Sequence, residues 1–246
     1  MEVHAHSHTA RKKWTHYLWE FLMLFLAVFC GFLAEYQLEH KIEKEKEEQF
    51  IKSFVQDLKQ DTTRLLKILN SRKRREVIID SLSLLLNNNR AGEYGNYLYF
   101  FARNATRTAD IRFIPNDGTM QQLKNSGGLR LIRKPAVANG LIKYDVAVRN
   151  MLTQTQLEQT IAEEFRTACS KIFDGRVFDK MFEGDASIQM LSGNPEIFGN
   201  KEDMFQLYFR MHYLNAINIL NRNVNSDLLQ RASGLLMILK KEYRLE

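Results

Sequence analysis

The longest apolar run of the chain lies near its start. Residues 21–34 are all apolar, and aromatic residues extend the run to Tyr17 on one side and Tyr36 on the other. The extended run has about twenty residues, so that a helix of this length spans ~30 Å, the thickness of a bilayer core. Aromatic residues at both ends are typical of the two interfaces of a spanning helix. The pattern predicts a transmembrane helix at 17–36.

A cleaved signal peptide is the main alternative for this run, because such peptides also carry an apolar segment near the N-terminus. The best cleavage site has Phe32 where signal peptidase requires a small residue. The Cys30 that resembles a lipoprotein acceptor follows Phe29, which is too large for that position. We therefore expect an anchor that is retained, with Glu20 and Glu35 at its boundaries.

The orientation of the anchor follows from the basic residues around it. Arg11, Lys12 and Lys13 precede the span, whereas the segment 40–48 that follows it mixes three lysines with acidic residues. The difference in positive charge between the two flanks is small by the positive-inside rule, because acidic residues count for little in it and do not cancel the three lysines after the span. It favours a cytoplasmic tail at 1–16 and a C-terminal part in the periplasm of a Gram-negative cell.

Beyond the span, apolar residues recur at steps of three and four, as in helices that pack against each other. The segment 37–60 begins with a nearly continuous run of charged residues from Glu39 to Gln49 and is predicted to be a helical stalk, whereas 61–246 is predicted to be a helical bundle. The predicted helices cover residues 51–69, 76–86, 94–110, 135–173, 201–221 and 228–243, and a short helix begins at the capping box of Thr119 and Gln122 and ends at Gly127-Gly128. Because helix 201–221 is apolar nearly all round, we expect it to be central and buried.

Composition supports an all-α fold on a single anchor. The 246 residues include only 3 prolines and 12 glycines, which leaves long uninterrupted stretches for helices. A hydrophobic fraction of 45% is ordinary for a globular domain. The 2 cysteines, Cys30 and Cys169, are too few and too far apart for a disulfide framework, and we interpret both as buried free thiols.

The net charge of +6 raises the question of whether the chain binds nucleic acid. Apart from Arg11-Lys12-Lys13 before the span, the longest run of basic residues is Arg72-Lys73-Arg74-Arg75. A periplasmic domain does not meet DNA, and a helix from residue 36 to 72 spans ~54 Å, too far for a screened attraction to lipid headgroups. We interpret the cluster as a solvated helix end or a protein-contact patch, and we expect no nucleic-acid partner.

Metal and catalytic chemistry have little support in the sequence. His4, His6 and His8 alternate at the N-terminus, and neutral imidazoles are good ligands for zinc, copper or nickel. The segment is either a weak metal site or a solvated tail. His212 is expected to be a core residue. The chain carries no phosphate-binding glycine loop and no metalloprotease or serine-hydrolase motif, so we expect no cofactor and no enzyme activity.

Three residues of the span are candidates for assembly. Ala27 and Gly31 form a small-xxx-small pair, which lets two membrane helices approach closely, although such residues are also common in any membrane helix. Glu20 is either a group that binds a partner within the membrane or a boundary carboxylate that pairs with Lys13 or His16.

Two segments carry a resemblance to a known group of proteins. The N-terminal segment from His4 through Trp14, the apolar run and the charged segment EHKIEKEKEEQFIKSFVQDLKQD form the first, and LKNSGGLRLIRKPAV at 123–137 forms the second. Together they resemble a family of uncharacterised Bacteroidota envelope proteins with a single membrane span. The resemblance implies a retained anchor in a bacterial envelope and transfers no activity and no site residue.

The sequence therefore predicts a membrane-anchored, non-enzymatic helical module that senses or scaffolds in the envelope. The predicted partner is either another envelope protein or a second copy of the chain. A second copy is expected to bind through the anchor and stalk. The first alternative is an accessory subunit of an inner-membrane machine that uses Glu20 in contacts within the membrane. A periplasmic enzyme is the second alternative.

Overall fold

The computed structural model describes residues 14–87, 93–183 and 187–245, and it confirms the all-α prediction. The helices are α1 (Trp14–Asn87), α2 (Gly95–Ala105), α3 (Gly118–Asn125), α4 (Pro135–Cys169), α5 (Gly175–Asp179) and α6 (Lys201–Tyr243). Short 3₁₀ turns lie at Ala109–Ile111 and Gly128–Leu131. The strands β1 (Phe182–Glu183) and β2 (Ser187–Ile188) form one antiparallel pair with Phe182 opposite Ile188.

The chain divides into two compact units, residues 1–49 and 50–246. In the first unit the described residues belong to α1, and their most apolar 18-residue window is 0% buried within the protein. By length and composition this helix is able to cross a membrane, as the sequence predicts. A helix that exposes only apolar side chains is suited to lipid.

The second unit is the helical bundle, and it begins earlier than the sequence boundary at residue 61. Ile51, Phe54 and Leu58 are at most 1% exposed and lie in the bundle core. The charged residues of the segment 37–60 are concentrated before residue 50, whereas its last ten residues already follow the core spacing.

Two predicted breaks between helices are wrong. Helix α1 continues through 70–75 to Asn87, and the predicted helices 201–221 and 228–243 are one helix, α6. The segments between them contain polar residues but no glycine or proline, so nothing stops the helices there. Asn200 begins α6 with a capping box, in which its side chain accepts from the Asp203 amide at 3.0 Å.

The core consists of two apolar clusters, to which α1, α4 and α6 all contribute. The first contains residues 51–68 of α1, 137–151 of α4 and 228–239 of α6 at their inward positions. The second contains inward positions of 79–86, 162–169 and 207–214 of the same helices, together with α2. Between the clusters each long helix carries buried polar residues. We call this set the polar layer: Arg72, Arg75, Glu158, Asn218, Asn221 and Asn225.

Candidate functional site

The assembly residues predicted from the sequence lie on the first unit. Glu20, Ala27 and Gly31 are exposed, and their spacing of seven and four places them on one face of α1. The Glu20 carboxylate lies 3.1 Å from His16 Nε2, so the pairing with His16 is present. A methyl group added at Gly31 meets no atom within 4 Å. His4, His6 and His8 lie outside the described residues.

Glu158 joins two arginines at the centre of the polar layer. Arg72 donates from Nη1 and Nη2 to the two carboxylate oxygens at 3.1 and 2.9 Å, a bidentate pair. Arg75 Nη1 donates to Oε1 of the same carboxylate at 2.5 Å. The side chains are 0%, 3% and 4% exposed for Arg72, Arg75 and Glu158, so water screens these charges little.

Asparagines of α6 complete the contact between the three long helices. Asn218 accepts from Arg72 Nη1 at 3.1 Å and donates to the Arg72 carbonyl at the same distance. Asn221 donates to Glu158 Oε2 at 2.8 Å. The polar layer therefore bonds α1 to α4 and α6 at one level of the bundle.

Two backbone carbonyls, at the end of α2 and shortly after it, accept further hydrogen bonds from the guanidinium groups of the layer. Arg75 Nε donates to the Ala105 carbonyl at 2.9 Å, and Arg72 Nη2 donates to the Ile111 carbonyl at 3.3 Å. The layer thus fixes the end of α2 and the 3₁₀ turn at Ala109–Ile111. Helix ends leave carbonyls without partners inside the helix, and Arg75 satisfies one of them.

The layer contains two guanidinium groups for one carboxylate. Burial alone raises the pKa of Glu158, but the hydrogen bonds and charge of Arg72 and the charge of Arg75 outweigh it, and this pKa lies below its ordinary value. Burial lowers the pKa of Arg75, against the attraction of Glu158. Glu158 is therefore ionised and the three groups together carry a net positive charge.

Two clefts next to the layer share Ile111 in their lining. One, of about 200 Å³, is lined by Thr108, Arg112, Glu158 and Gln159 among others. The other, of about 240 Å³, is lined by Ser71, Arg74, Arg75, Ile78, Asn104, Arg107, Asp110 and Ile111. We call the second the arginine cleft, since it places three guanidinium groups around one cavity.

The sequence interpretation of the basic cluster as a solvated helix end or contact patch is wrong for Arg72 and Arg75. A signal for their burial was present, because core residues of α1 recur every seven positions. One such line runs through Ile51, Leu58, Leu65, Arg72, Ile79 and Leu86, and the other through Phe54, Asp61, Ile68, Arg75 and Leu82. Glu158 occupies the same kind of position in α4, between Met151 and Phe165.

Helix α6 is not buried all round, which corrects the expectation for 201–221. Its inward side packs through Leu207, Met211 and Leu214, whereas the outward side exposes large apolar residues. We call the outward residues the α6 face: Phe205 at 57%, Phe209 at 53%, Tyr213 at 46%, Ala216, and Leu220 at 47% exposed. His212 is also exposed and is not a core residue.

A groove between α4 and α6 continues from the α6 face. It has a volume of about 580 Å³ and includes Leu220 and Val224 of α6 and Val146 and Ala147 of α4. Its rim is polar, with Lys143, Asp227 and Arg231. The exposed apolar surface of α6 is thus one continuous feature from residue 205 to 224.

Metal and thiol chemistry find no support in the described part of the chain. No group of three or more His, Cys, Asp and Glu side chains is placed to hold a metal ion there. Cys169 is buried, as expected, and burial raises the pKa of its thiol. Cys30 lies on the apolar part of α1, where no other part of the protein covers it.

Comparison with known proteins identifies no relative of this chain. The functional assignment therefore depends on the polar layer, the clefts and the α6 face alone. No protein-family model, no curated protein and no solved structure matches the chain.

Proposed function

We propose that the chain is a membrane-anchored, non-enzymatic helical module of the bacterial envelope that acts through protein–protein contacts. Its tail at 1–16 lies in the cytoplasm, residues 17–36 cross the inner membrane, and the bundle lies in the periplasm. The apolar surface of α1 and the basic residues before it support this arrangement. The resemblance to Bacteroidota envelope proteins agrees with it.

The α6 face is the observation that carries the proposal. Phe209, Tyr213, Ala216 and Leu220 follow each other at steps of four, three and four, the spacing of a seam between two helices. In the single chain these residues remain open to solvent. Contiguous exposed apolar surface on a folded domain marks a site of protein contact.

The occupant that we assign to this face is a second copy of the chain. A symmetric dimer needs a surface that matches itself, and an apolar seam without charges does so. Residues 211–220 contain no Asp, Glu, Lys or Arg, and the charge of Arg210 beside Phe209 is paired with Glu164 of the same copy. Anchoring in one membrane confines the copies, and the small residues Ala27 and Gly31 allow their spans to approach.

A disulfide crosslink tests the dimer directly. Ala216→Cys in a Cys30→Ser background places one accessible thiol at the centre of the α6 face, since Cys169 is buried. In a parallel symmetric dimer, equal seam positions meet, so we expect oxidation of native membranes to give a covalent dimer. Lys67→Cys in the same background is the control, because Lys67 is exposed on α1, away from the α6 face.

The result that contradicts self-association is an Ala216→Cys chain that stays monomeric or crosslinks only to a different protein. A second variant separates a true interface from chance collision. Phe209→Ser with Tyr213→Ser is expected to abolish the crosslink at Ala216→Cys. Met237→Ser, at an exposed position of α6 beyond the face, is expected to leave it unchanged.

Protease digestion of spheroplasts tests the orientation of the chain in the membrane. Protease added to spheroplasts is expected to digest the bundle and to leave an epitope at the N-terminus intact. Protection of the bundle in intact spheroplasts, with digestion after lysis, contradicts a periplasmic location.

A further inference from the structure

We propose that the arginine cleft binds a phosphate group, as free phosphate or a small phosphomonoester, through the guanidinium groups of Arg74, Arg75 and Arg107. The cleft lies between α1 and the segment from Asn104 to Ile111, and its volume is about 240 Å³. The proposal is independent of the α6 face, which lies on a different helix and takes no part in the cleft.

The charge of the polar layer is the first argument. Arg72 and Arg75 are nearly fully buried and share the single carboxylate of Glu158. Buried charges are stable when they are paired, so an unbalanced cation in the interior favours an anion beside it. The arginine cleft has Arg75 in its lining, so an anion in the cleft lies beside the layer.

Arg75 supplies the second argument. Its side chain is 3% exposed, Nε and Nη1 are bonded to Ala105 and Glu158, and Nη2 has no acceptor among the described residues. A buried guanidinium hydrogen without an acceptor costs free energy that a phosphate oxygen recovers. Arg75 thus lines the cleft and carries one guanidinium nitrogen that no described residue satisfies.

The other lining groups are consistent with an anion. Arg74 is exposed to solvent at the wall of the cleft. Arg107 donates from Nε to Asp110 at 3.0 Å, which leaves its two terminal nitrogens for a ligand. Ser71 contributes a hydroxyl, and Asp110 is the one carboxylate that lines the cavity among the described residues. Three guanidinium groups outweigh this single negative charge.

A phosphate group suits the cleft better than a carboxylate. Guanidinium groups bind both in a bidentate manner, but three of them around one cavity offer donors in more than one plane. A tetrahedral phosphate presents at least three oxygens and carries up to two negative charges, so it engages all three arginines. A carboxylate has two oxygens in one plane and a single charge.

Calorimetry of the full-length chain in detergent tests the proposal. Inorganic phosphate and glycerol 3-phosphate are titrated separately, with chloride at matched ionic strength as the reference. We expect saturable binding of one phosphate per chain, and the arm that binds more tightly distinguishes free phosphate from a phosphomonoester. A parallel thermal unfolding series is expected to show stabilisation that sets in near the same dissociation constant and then rises with the logarithm of the phosphate concentration.

Exposed arginines permit variants that do not disturb the core. Arg74→Gln and Arg107→Gln are each expected to weaken phosphate binding about tenfold, the loss that follows from one hydrogen bond to a charged group. Lys73→Gln removes an adjacent exposed charge that does not line the cleft, and it is expected to leave affinity unchanged.

Two outcomes overturn the proposal. One is the absence of saturable binding at millimolar concentrations of both phosphate compounds. The other is an equal loss for Lys73→Gln and Arg74→Gln, since this marks a diffuse attraction to positive charge and not a site. Unchanged unfolding of each variant without phosphate shows that any loss of affinity is local.

Discussion

At the scale of single residues, Glu158 determines whether the polar layer is stable. Its two oxygens accept from Arg72, Arg75 and Asn221, so every charged group of the layer depends on this carboxylate. Taking charges out of water is costly, and in this layer the paired carboxylate of Glu158 offsets the cost. We infer that the layer sets the register of α1, α4 and α6, because only one alignment pairs these groups.

Replacing Glu158 by glutamine is therefore expected to destabilise the bundle by about 3–5 kcal/mol, since it leaves two buried guanidinium groups without a counter-charge. Urea unfolding of the full-length chain in detergent, followed by circular dichroism, measures the change. Glu163→Gln is the matched control on the same helix, because Glu163 is exposed and lies 3.6 Å from Arg166. Equal effects of the two substitutions contradict the central role of Glu158.

The same carboxylate predicts a dependence of stability on pH. The pKa of Glu158 is lower in the folded protein than its ordinary value of 4.5. Its contribution to stability is thus fully present above that value and is lost as pH falls through the lower, folded pKa. In the native chain we expect the urea concentration at the unfolding midpoint to decrease as the pH is lowered below 4.5. We expect a smaller decrease over the same pH range for the Glu158→Gln variant.

At the scale of elements, the first residues of two short helices differ in how close the backbone of another segment lies to them. Gly95 begins α2, and an added Cβ there overlaps the carbonyl oxygen of Pro195. Gly118 begins α3, and an added Cβ there meets nothing within 4 Å. Of these two glycines, only the first is required by packing between elements.

Alanine substitution separates the two positions. Gly95→Ala is expected to destabilise the bundle by about 1–3 kcal/mol or more, because the backbone of Pro195 has to move. Gly118→Ala is expected to be neutral or slightly stabilising, since alanine favours the helix and reduces the entropy of the unfolded chain. Thermal unfolding of both variants measures the difference, and similar midpoints contradict the close approach at Gly95.

The long helices show how elements and residues depend on each other. The segment 70–75 of α1 is rich in arginine and carries no stop signal, and its inward arginines find partners on α4 and α6. Asn218 and Asn221 of α6 make similar contacts, with the Arg72 carbonyl and with Glu158, just before the polar segment 222–227. Polar residues at core positions interrupt the apolar clusters without interrupting the helices.

At the scale of the whole molecule, the two apolar core clusters belong to the second unit. The apolar clusters of the bundle consist of residues from position 50 onward. The apolar window of α1 is 0% buried and adds nothing to these clusters. The bundle is therefore expected to fold without the anchor.

A chain that begins at Lys41 tests this expectation. We expect it to be recovered in the soluble fraction and to unfold cooperatively, with a free energy of unfolding within about 1 kcal/mol of the full-length value. The full-length chain is expected to remain with membranes after an alkaline wash, because the hydrophobic effect holds the span in the bilayer. Aggregation of the shortened chain contradicts an independent bundle core.

Part of the site was accessible to sequence reasoning. The seven-residue spacing of Ile51, Leu58, Leu65 and Ile79 is by itself enough to place Arg72 on the core line of α1. Such spacing does not reveal which partner neutralises an arginine, since Glu158 is 86 positions away along the chain. The arginine cleft is less accessible still, because it depends on where the segment after α2 crosses α1.

The sequence by itself determined the apolar segment of α1, the all-α class and the helical periodicity, because each follows from local composition and from spacing along one helix. It did not determine the continuity of α1 and α6, the exposure of Phe209 and Tyr213, or the pairing within the polar layer. These depend on which helix faces which, and that is decided by contacts between residues far apart in the chain. Tertiary structure alone placed two arginines and one glutamate together, and left the α6 face open.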